Sequence, residues 1–243
     1  MRAKLGLAVV VALLMVSSAA FAAFIPVIGN VRPVTIGSSS EPSLATLFPT
    51  IDVNGGQLTF DYFAANPFSQ KAEFTILFEY AGNAGSNAMG IYSYQNTNEL
   101  LTILPGGAAP GWSATAKVLT DGTVTVNLYN ASDIQQSSVN SSFTGKTFGL
   151  YLSGPGGTFY SDDEGNTVNN NNNSAQVLAF NDATGPGGGF IFAFEDVLNG
   201  DYDYNDLIVH AQSINPIPEP GTMLLLGSGL VGLAGWGRKK FRK

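Results

Sequence analysis

Between Phe190 and Ala211 an apolar run of period two leads into a cluster of carboxylates and out into a second apolar run. Phe190, Phe192 and Phe194 alternate with Ile191 and Ala193, and Leu207, Ile208 and Val209 resume the pattern after the acids. Alternation of this kind marks β-strands, so the segment is predicted to be a hairpin of buried-type strands with an acidic tip. Glu195, Asp196, Asp201, Asp203 and Asp206 are five carboxylates within twelve residues, and Asn205 lies among them. Like charges this close repel, and burying them uncompensated is costly.

A hard cation relieves that repulsion. Calcium accepts about six to eight oxygens from carboxylates, amides and backbone carbonyls in a flexible geometry. Asp201, Asp203 and Asn205 stand two residues apart, the spacing of the first half of an EF-hand loop. The second half is missing, because Asp206 occupies the place of the sharp-turn glycine and Gln212 that of the bidentate glutamate. The pattern therefore predicts a calcium site across a β-hairpin, built from Asp201, Asp203, Asn205 and Asp206. Glu195 or Asp196 from the incoming strand would complete it. The alternative is a solvated acidic turn that needs no metal.

These residues also carry a resemblance. Glu195-Asp196, then Gly200, Asp201, Asp203, Tyr204, Asn205, Asp206 and Leu207, resemble the signature of a domain of unknown function found near the C-terminus of many bacterial surface proteins. The resemblance extends upstream to about Gly145 and covers residues 145–212. It implies a cation role at this hairpin and no established biochemical activity.

The rest of the body reads as short strands separated by glycine, asparagine and proline. The predicted strands are Leu58 to Phe63, Phe74 to Tyr80, Gly90 to Tyr94, Leu100 to Leu104, Ala114 to Leu119, Thr123 to Tyr129, Phe148 to Ser153 and Gln176 to Asn181. No stretch holds helical periodicity, and turn signals such as Asp121-Gly122 recur at hairpin spacing. The expected fold is all-β, an antiparallel β-sandwich of jelly-roll type spanning residues 50–214. Residues 23–49, with Pro26, Pro33, Pro42 and Pro49, read as an extended lead-in. Met89 to Gly106 also resembles the first half of exported proteins that end in the same acidic domain, which favours one continuous sandwich.

Residues 1–22 have the form of a cleaved signal peptide. Arg2 and Lys4 precede an apolar core from Leu5 to Val16, and Ala20-Phe21-Ala22 supplies a small-x-small cleavage signal. The body from Ala23 to Pro220 holds four basic residues against all eighteen acids, a formal net charge of −14. Such a balance argues against nucleic acid as a partner and suits cations. The chain has no cysteine, which excludes disulfides, thiolate zinc sites and thiol nucleophiles.

At the other end, Pro218-Glu219-Pro220 is followed by an apolar run at residues 222–237 and the basic cluster Arg238, Lys239, Lys240, Arg242 and Lys243. As a helix this run would measure ~24 Å, a short transmembrane span against a hydrocarbon core of ~30 Å. The basic residues would stay on the cytoplasmic side of the inner membrane. This tail, residues 215–243, resembles the PEP-CTERM sorting signal, with Pro218, Glu219 and Pro220 carrying the motif. The resemblance implies export in a Gram-negative bacterium, transient anchoring in the inner membrane and processing by exosortase. It also implies release to the cell surface or to an exopolysaccharide or biofilm matrix.

Support for catalysis is thin. His210, the single histidine, lies on the outgoing strand with the character of a structural residue, and acids clustered at one tip suit a metal better than the divergent pKa values of an acid and a nucleophile. Neither the Asn169 to Asn173 run nor Gly145-Lys146-Thr147 forms a binding motif, since Asn140 stands where a phosphate loop needs its first glycine. The expectation is a structural or adhesive surface protein with no enzymatic activity. A calcium-dependent carbohydrate-binding module, with Trp112 or Tyr202 stacking on a sugar of an extracellular polysaccharide, is the second reading. A polysaccharide-processing enzyme is the third.

Overall fold

The computed structural model describes residues 42–52, 56–58, 62–161, 176–182, 189–197, 203–217, 227–230 and 232–233. The strands follow from alternation. In β2 (Lys71–Phe78), Ala72, Phe74 and Ile76 are buried while Lys71 and Glu73 face solvent. In β6 (Thr123–Tyr129), Val124, Val126 and Leu128 are buried in the same rhythm. Such strands satisfy their backbone laterally and must hide one face, so they assemble as sheets packed face to face.

Two antiparallel sheets result. The larger has the order β10 (Val177–Asp182), β11 (Gly189–Phe194), β12 (Leu207–Gln212), β2, β5 (Ser113–Val118), β6 and β7 (Gln135–Ser142). The smaller runs β13 (Ile214–Ile217), β1 (Tyr62–Ala65), β8 (Thr147–Gly154), β3 (Ala88–Ser93) and β4 (Asn96–Leu104), with β9 (Gly157–Tyr160) also paired to β8. The pairs β1 with β13, β2 with β12 and β3 with β8 are nested in the chain and alternate between the sheets. That alternation is how a jelly roll wraps a folded-over hairpin around a core.

The main core lies between the sheets. Phe63, Ile91, Phe148 and Leu150 from the smaller sheet meet Phe74, Phe192, Phe194 and Val209 from the larger, all essentially without solvent exposure. Two satellite clusters cover the outer faces. One helical turn, α1 (Leu44–Leu47), lays Leu44 over Phe180, Ile191, Tyr204 and Ile208 on the larger sheet. On the smaller sheet Tyr62, Tyr92 and Tyr151 form a tyrosine layer with Tyr94 and Tyr160 against it.

That tyrosine layer depends on glycine. Tyr92 is paired with Gly149 and Tyr151 with Gly90, so each ring lies over a residue without a side chain. A Cβ at either glycine would come within 2.3 Å of the facing ring.

Several elements differ from the sequence reading. Of the strand expected from Leu58 to Phe63, Tyr62 and Phe63 lie in β1, Leu58 lies outside a strand and residues 59–61 lie outside the described residues; Gln57 makes an isolated bridge to Phe180. Part of the expected extended lead-in is the α1 turn. The sandwich continues to Ile217, past residue 214, because β13 pairs with β1 and tolerates Pro216 at a sheet edge. β7 and β9 were not expected at all. No helix among the described residues is long and apolar enough to cross a membrane. Residues 227–230 and 232–233 of the tail are helical. The signal-peptide segment, Pro218-Glu219-Pro220 and the remainder of the tail lie outside the described residues.

Candidate metal centre at the acidic hairpin

β11 delivers Glu195 and Asp196 immediately beyond Phe194, and β12 begins immediately after Asp206. Because Phe194 pairs with Leu207, the two acidic ends of the hairpin meet at the same end of the sheet. Asp201 and Tyr202, at the tip, lie outside the described residues.

Of the described acids of the hairpin, Asp206 is half-buried and the others are buried. Glu195 is 2 %, Asp196 4 %, Asp203 3 % and Asn205 1 % exposed. Two corners can be distinguished. In one, the backbone N–H of Asp196 donates to Asp206 Oδ2 at 2.8 Å, and Asn87 Nδ2 donates to Asp196 Oδ2 at 2.7 Å from the facing sheet. In the other, Asn205 Nδ2 donates both to Asp203 Oδ2 at 2.7 Å and to the Pro42 carbonyl at 2.9 Å. The Asp203 carbonyl accepts from the Leu44 N–H at 2.9 Å, tying the start of α1 to the hairpin.

These bonds orient the Asn205 amide, since a flip would set its oxygen against the Asp203 carboxylate. The orientation leaves Asn205 Oδ1 buried, a strong acceptor beside Asp203 with no hydrogen-bond partner among the described residues. Asn87 Oδ1 is in the same condition beside Asp196. Between Asp203 and Asn205, Tyr204 adopts a left-handed backbone with φ 54°, unusual for a bulky residue. Burial of its ring against Leu44, Phe180 and Ile208 offsets that strain.

Among the described residues, lysines stand far from this end. Lys71 and Lys117 are paired at the start of β2, whose other end reaches Ile208 beside the hairpin. Lys146 precedes β8, whose far end, Gly154, lies against Asn87. Arg32 is outside the described residues.

Among the described residues, no group of three or more His, Cys, Asp or Glu is arranged to hold a metal ion. The structure brings Glu195, Asp196, Asp203, Asn205 and Asp206 to one end of the sandwich, in two corners.

Sequence reasoning missed three contributors. Asn87 comes from the opposite sheet and Pro42 from the lead-in, so neither carries a local signal. Glu79 follows β2, next to Tyr80, whose N–H donates to the Asn205 carbonyl at 3.3 Å. Burial pushes the Glu79 carboxyl up to about 7. An acid at the end of a strand that pairs with β12 could have been flagged, had the pairing been known.

His210 Nε2 lies 3.1 Å from Asp182 Oδ2, outside hydrogen-bond geometry. The pair crosses over Gly189 of the intervening strand, where a Cβ would come within 2.8 Å of the ring. Trp112 is partly buried and packs against the main core. Tyr202 and the asparagine run lie outside the described residues.

Residues 119–213 match the family described as Domain of unknown function (DUF4114), a longer stretch than the resemblance from Gly145. Residues 216–239 match the PEP-CTERM protein-sorting motif. The chain is thus an all-β sandwich whose second half matches DUF4114. It carries a PEP-CTERM protein-sorting motif after that domain. That signal implies export and membrane-anchored processing in Gram-negative bacteria.

No curated protein matches the chain. Among solved structures, the Chromobacterium violaceum lectin CV2L, in complex with alpha-methyl-fucoside, is 12 % identical over 66 % of this chain and 100 % of its own. The TM-score is 0.28, too low for the likeness to bear on fold or ligand.

Proposed function

We propose that this is an exported, exosortase-processed protein of the cell surface or extracellular matrix, with a structural or adhesive role and no catalytic one. In this reading its acidic hairpin holds calcium. Asp201, Asp203, Asn205 and Asp206 are the ligands, with Glu195 or Asp196 from the end of β11. The partners are exosortase during sorting and matrix polysaccharide afterwards, in keeping with a biofilm setting.

The single observation that carries the metal reading is Asn205 Oδ1, a buried acceptor without a partner among the described residues, beside a buried carboxylate. A buried acceptor left unsatisfied costs about 1–3 kcal/mol, and a hard cation is the ligand that would satisfy it together with the carboxylates. The remoteness of Lys71, Lys117 and Lys146 from this end supports the same reading.

The test is titration calorimetry with calcium on the processed protein. One calcium per chain, bound with micromolar to sub-millimolar affinity and lost in Asp201→Asn with Asp203→Asn, is expected. Absence of a binding isotherm at millimolar calcium would leave the hairpin a solvated acidic turn.

A further inference from the structure

The five outermost strands of the two sheets are not protected alike. β10 is covered by Gln57 and Leu58, whose backbone bridges Phe180 and bonds Ala179. β9 and β13 are four residues long, and β13 carries Pro216. β4 is charged at Glu99 and kinked by two register shifts against β3. Short length, proline, charge and bulges are the means by which sheet edges avoid pairing with another chain.

β7 has no charge and no proline, and its single register shift against β6 lies at the Gln135 end, away from Val139. It runs eight residues, QQSSVNSS, with seven exposed and no glycine. Its inner neighbour is β6, and along its free side alternate residues present backbone N–H and C=O groups outward. Its surroundings are electrically neutral in an otherwise acidic body. From Ser113 to Lys146 the charged residues are Lys117, Asp121, Asp133 and Lys146, two of each sign. Two copies of a body bearing −14 repel each other over most of their surfaces and can meet most readily here.

We propose that β7 is a self-association edge, where two copies of this chain pair antiparallel to make one continuous sheet across a two-fold axis. Symmetry fixes the register. An axis perpendicular to the sheet keeps each residue's face, so the pairing centres on one residue. Val139 is the apolar member of the strand, 45 % exposed and opposite the buried Val126 of β6. Centring on Val139 pairs it with its own copy, Ser138 with Asn140 and Ser137 with Ser141. The exposed valines cover each other on the core-facing side while hydroxyl and amide groups pair beside them.

The absence of cysteine allows a clean test on the full chain in mild detergent. Directly opposed residues in antiparallel strands have Cα atoms about 4.5–5.5 Å apart, within disulfide reach. Val139→Cys should therefore give a disulfide-linked dimer under mild oxidation. Ser137→Cys, out of register with itself, and Leu100→Cys on β4 should stay largely monomeric. Ser138→Lys with Asn140→Lys should weaken dimerisation, measured by sedimentation, by about tenfold or more while leaving the melting temperature unchanged. A wild-type chain that sediments as a monomer at tens of micromolar overturns the proposal. So does a dimer indifferent to the lysine pair, or Val139→Cys cross-linking no faster than Leu100→Cys.

Discussion

Two side chains a residue apart, Asp203 and Asn205, do different work at the hairpin, and substitution should separate them. Asn205 holds the local structure through its bonds to Pro42 and Asp203. Asn205→Ala should cost about 1–3 kcal/mol in chelator, because it removes donors that buried acceptors rely on, and should also lose most of the calcium gain together with the Oδ1 ligand. Asp203→Asn keeps the shape and removes a charge, so it should melt near the wild type in chelator and lose most of the gain that calcium brings. Thermal denaturation in chelator and in millimolar calcium distinguishes the two. Glu79 provides a pH signature in the metal-free protein. Its carboxyl is raised from 4.5 to about 7, so between those values the folded state keeps a proton that the unfolded chain has released. Stability therefore falls as pH rises through that window, by about 1–2 kcal/mol once the side chain's partial exposure is discounted. Glu79→Gln should flatten the slope between pH 5 and 8 in chelator. An unchanged slope would assign it to other groups. Glu99 and Asp121 have lowered values through bonds from Thr144 and Thr123, and act below this window with the opposite sign.

At the scale of elements, legibility followed apolar alternation. β6, β8 and β11 could be read because β6 buries every second residue while β8 and β11 are apolar runs buried on both faces. β7 could not, since Gln135 to Ser142 is polar on both faces and is a strand through its backbone pairing with β6. β13 was missed because Pro216 reads as a stop signal, though a sheet edge tolerates it. The acidic tip was legible as a cluster of charges, while its helpers were not. Asn87 reaches Asp196 across 109 positions of sequence, a distance only the fold closes. The glycines under the tyrosine layer likewise have meaning only in the paired sheet. Gly149→Ala would drive a methyl into the Tyr92 ring, which is itself enclosed by Tyr62 and Tyr160. Overpacking of this kind costs about 1–3 kcal/mol. A fall of several degrees in melting temperature is expected, and an unchanged value would mean that the tyrosine layer yields freely.

On the scale of the whole molecule, a cysteine-free sandwich ends in a sorting motif that immediately follows its last strand. Since β13 closes on β1 before Pro218, cleavage at the motif should leave the sandwich of the described residues intact. Replacing Pro218, Glu219 and Pro220 by alanine should preserve export and stop processing, so that full-length protein accumulates in the inner membrane. Fractionation and immunoblotting read this directly. Wild-type-sized product outside the cell would mean that the motif is not the one read by the sorting enzyme. If a cation compensates the buried carboxylates at the acidic end of this sandwich, the most direct measurement is the melting temperature of residues 23–217 in chelator and in calcium. With a dissociation constant of ~10 μM, ~1 mM calcium is worth about 2.7 kcal/mol. In a protein of this size that raises the melting temperature by roughly 5–10 °C. Asp201→Asn with Asp203→Asn should abolish the increment. A melting temperature unmoved by either calcium or chelator would contradict the account.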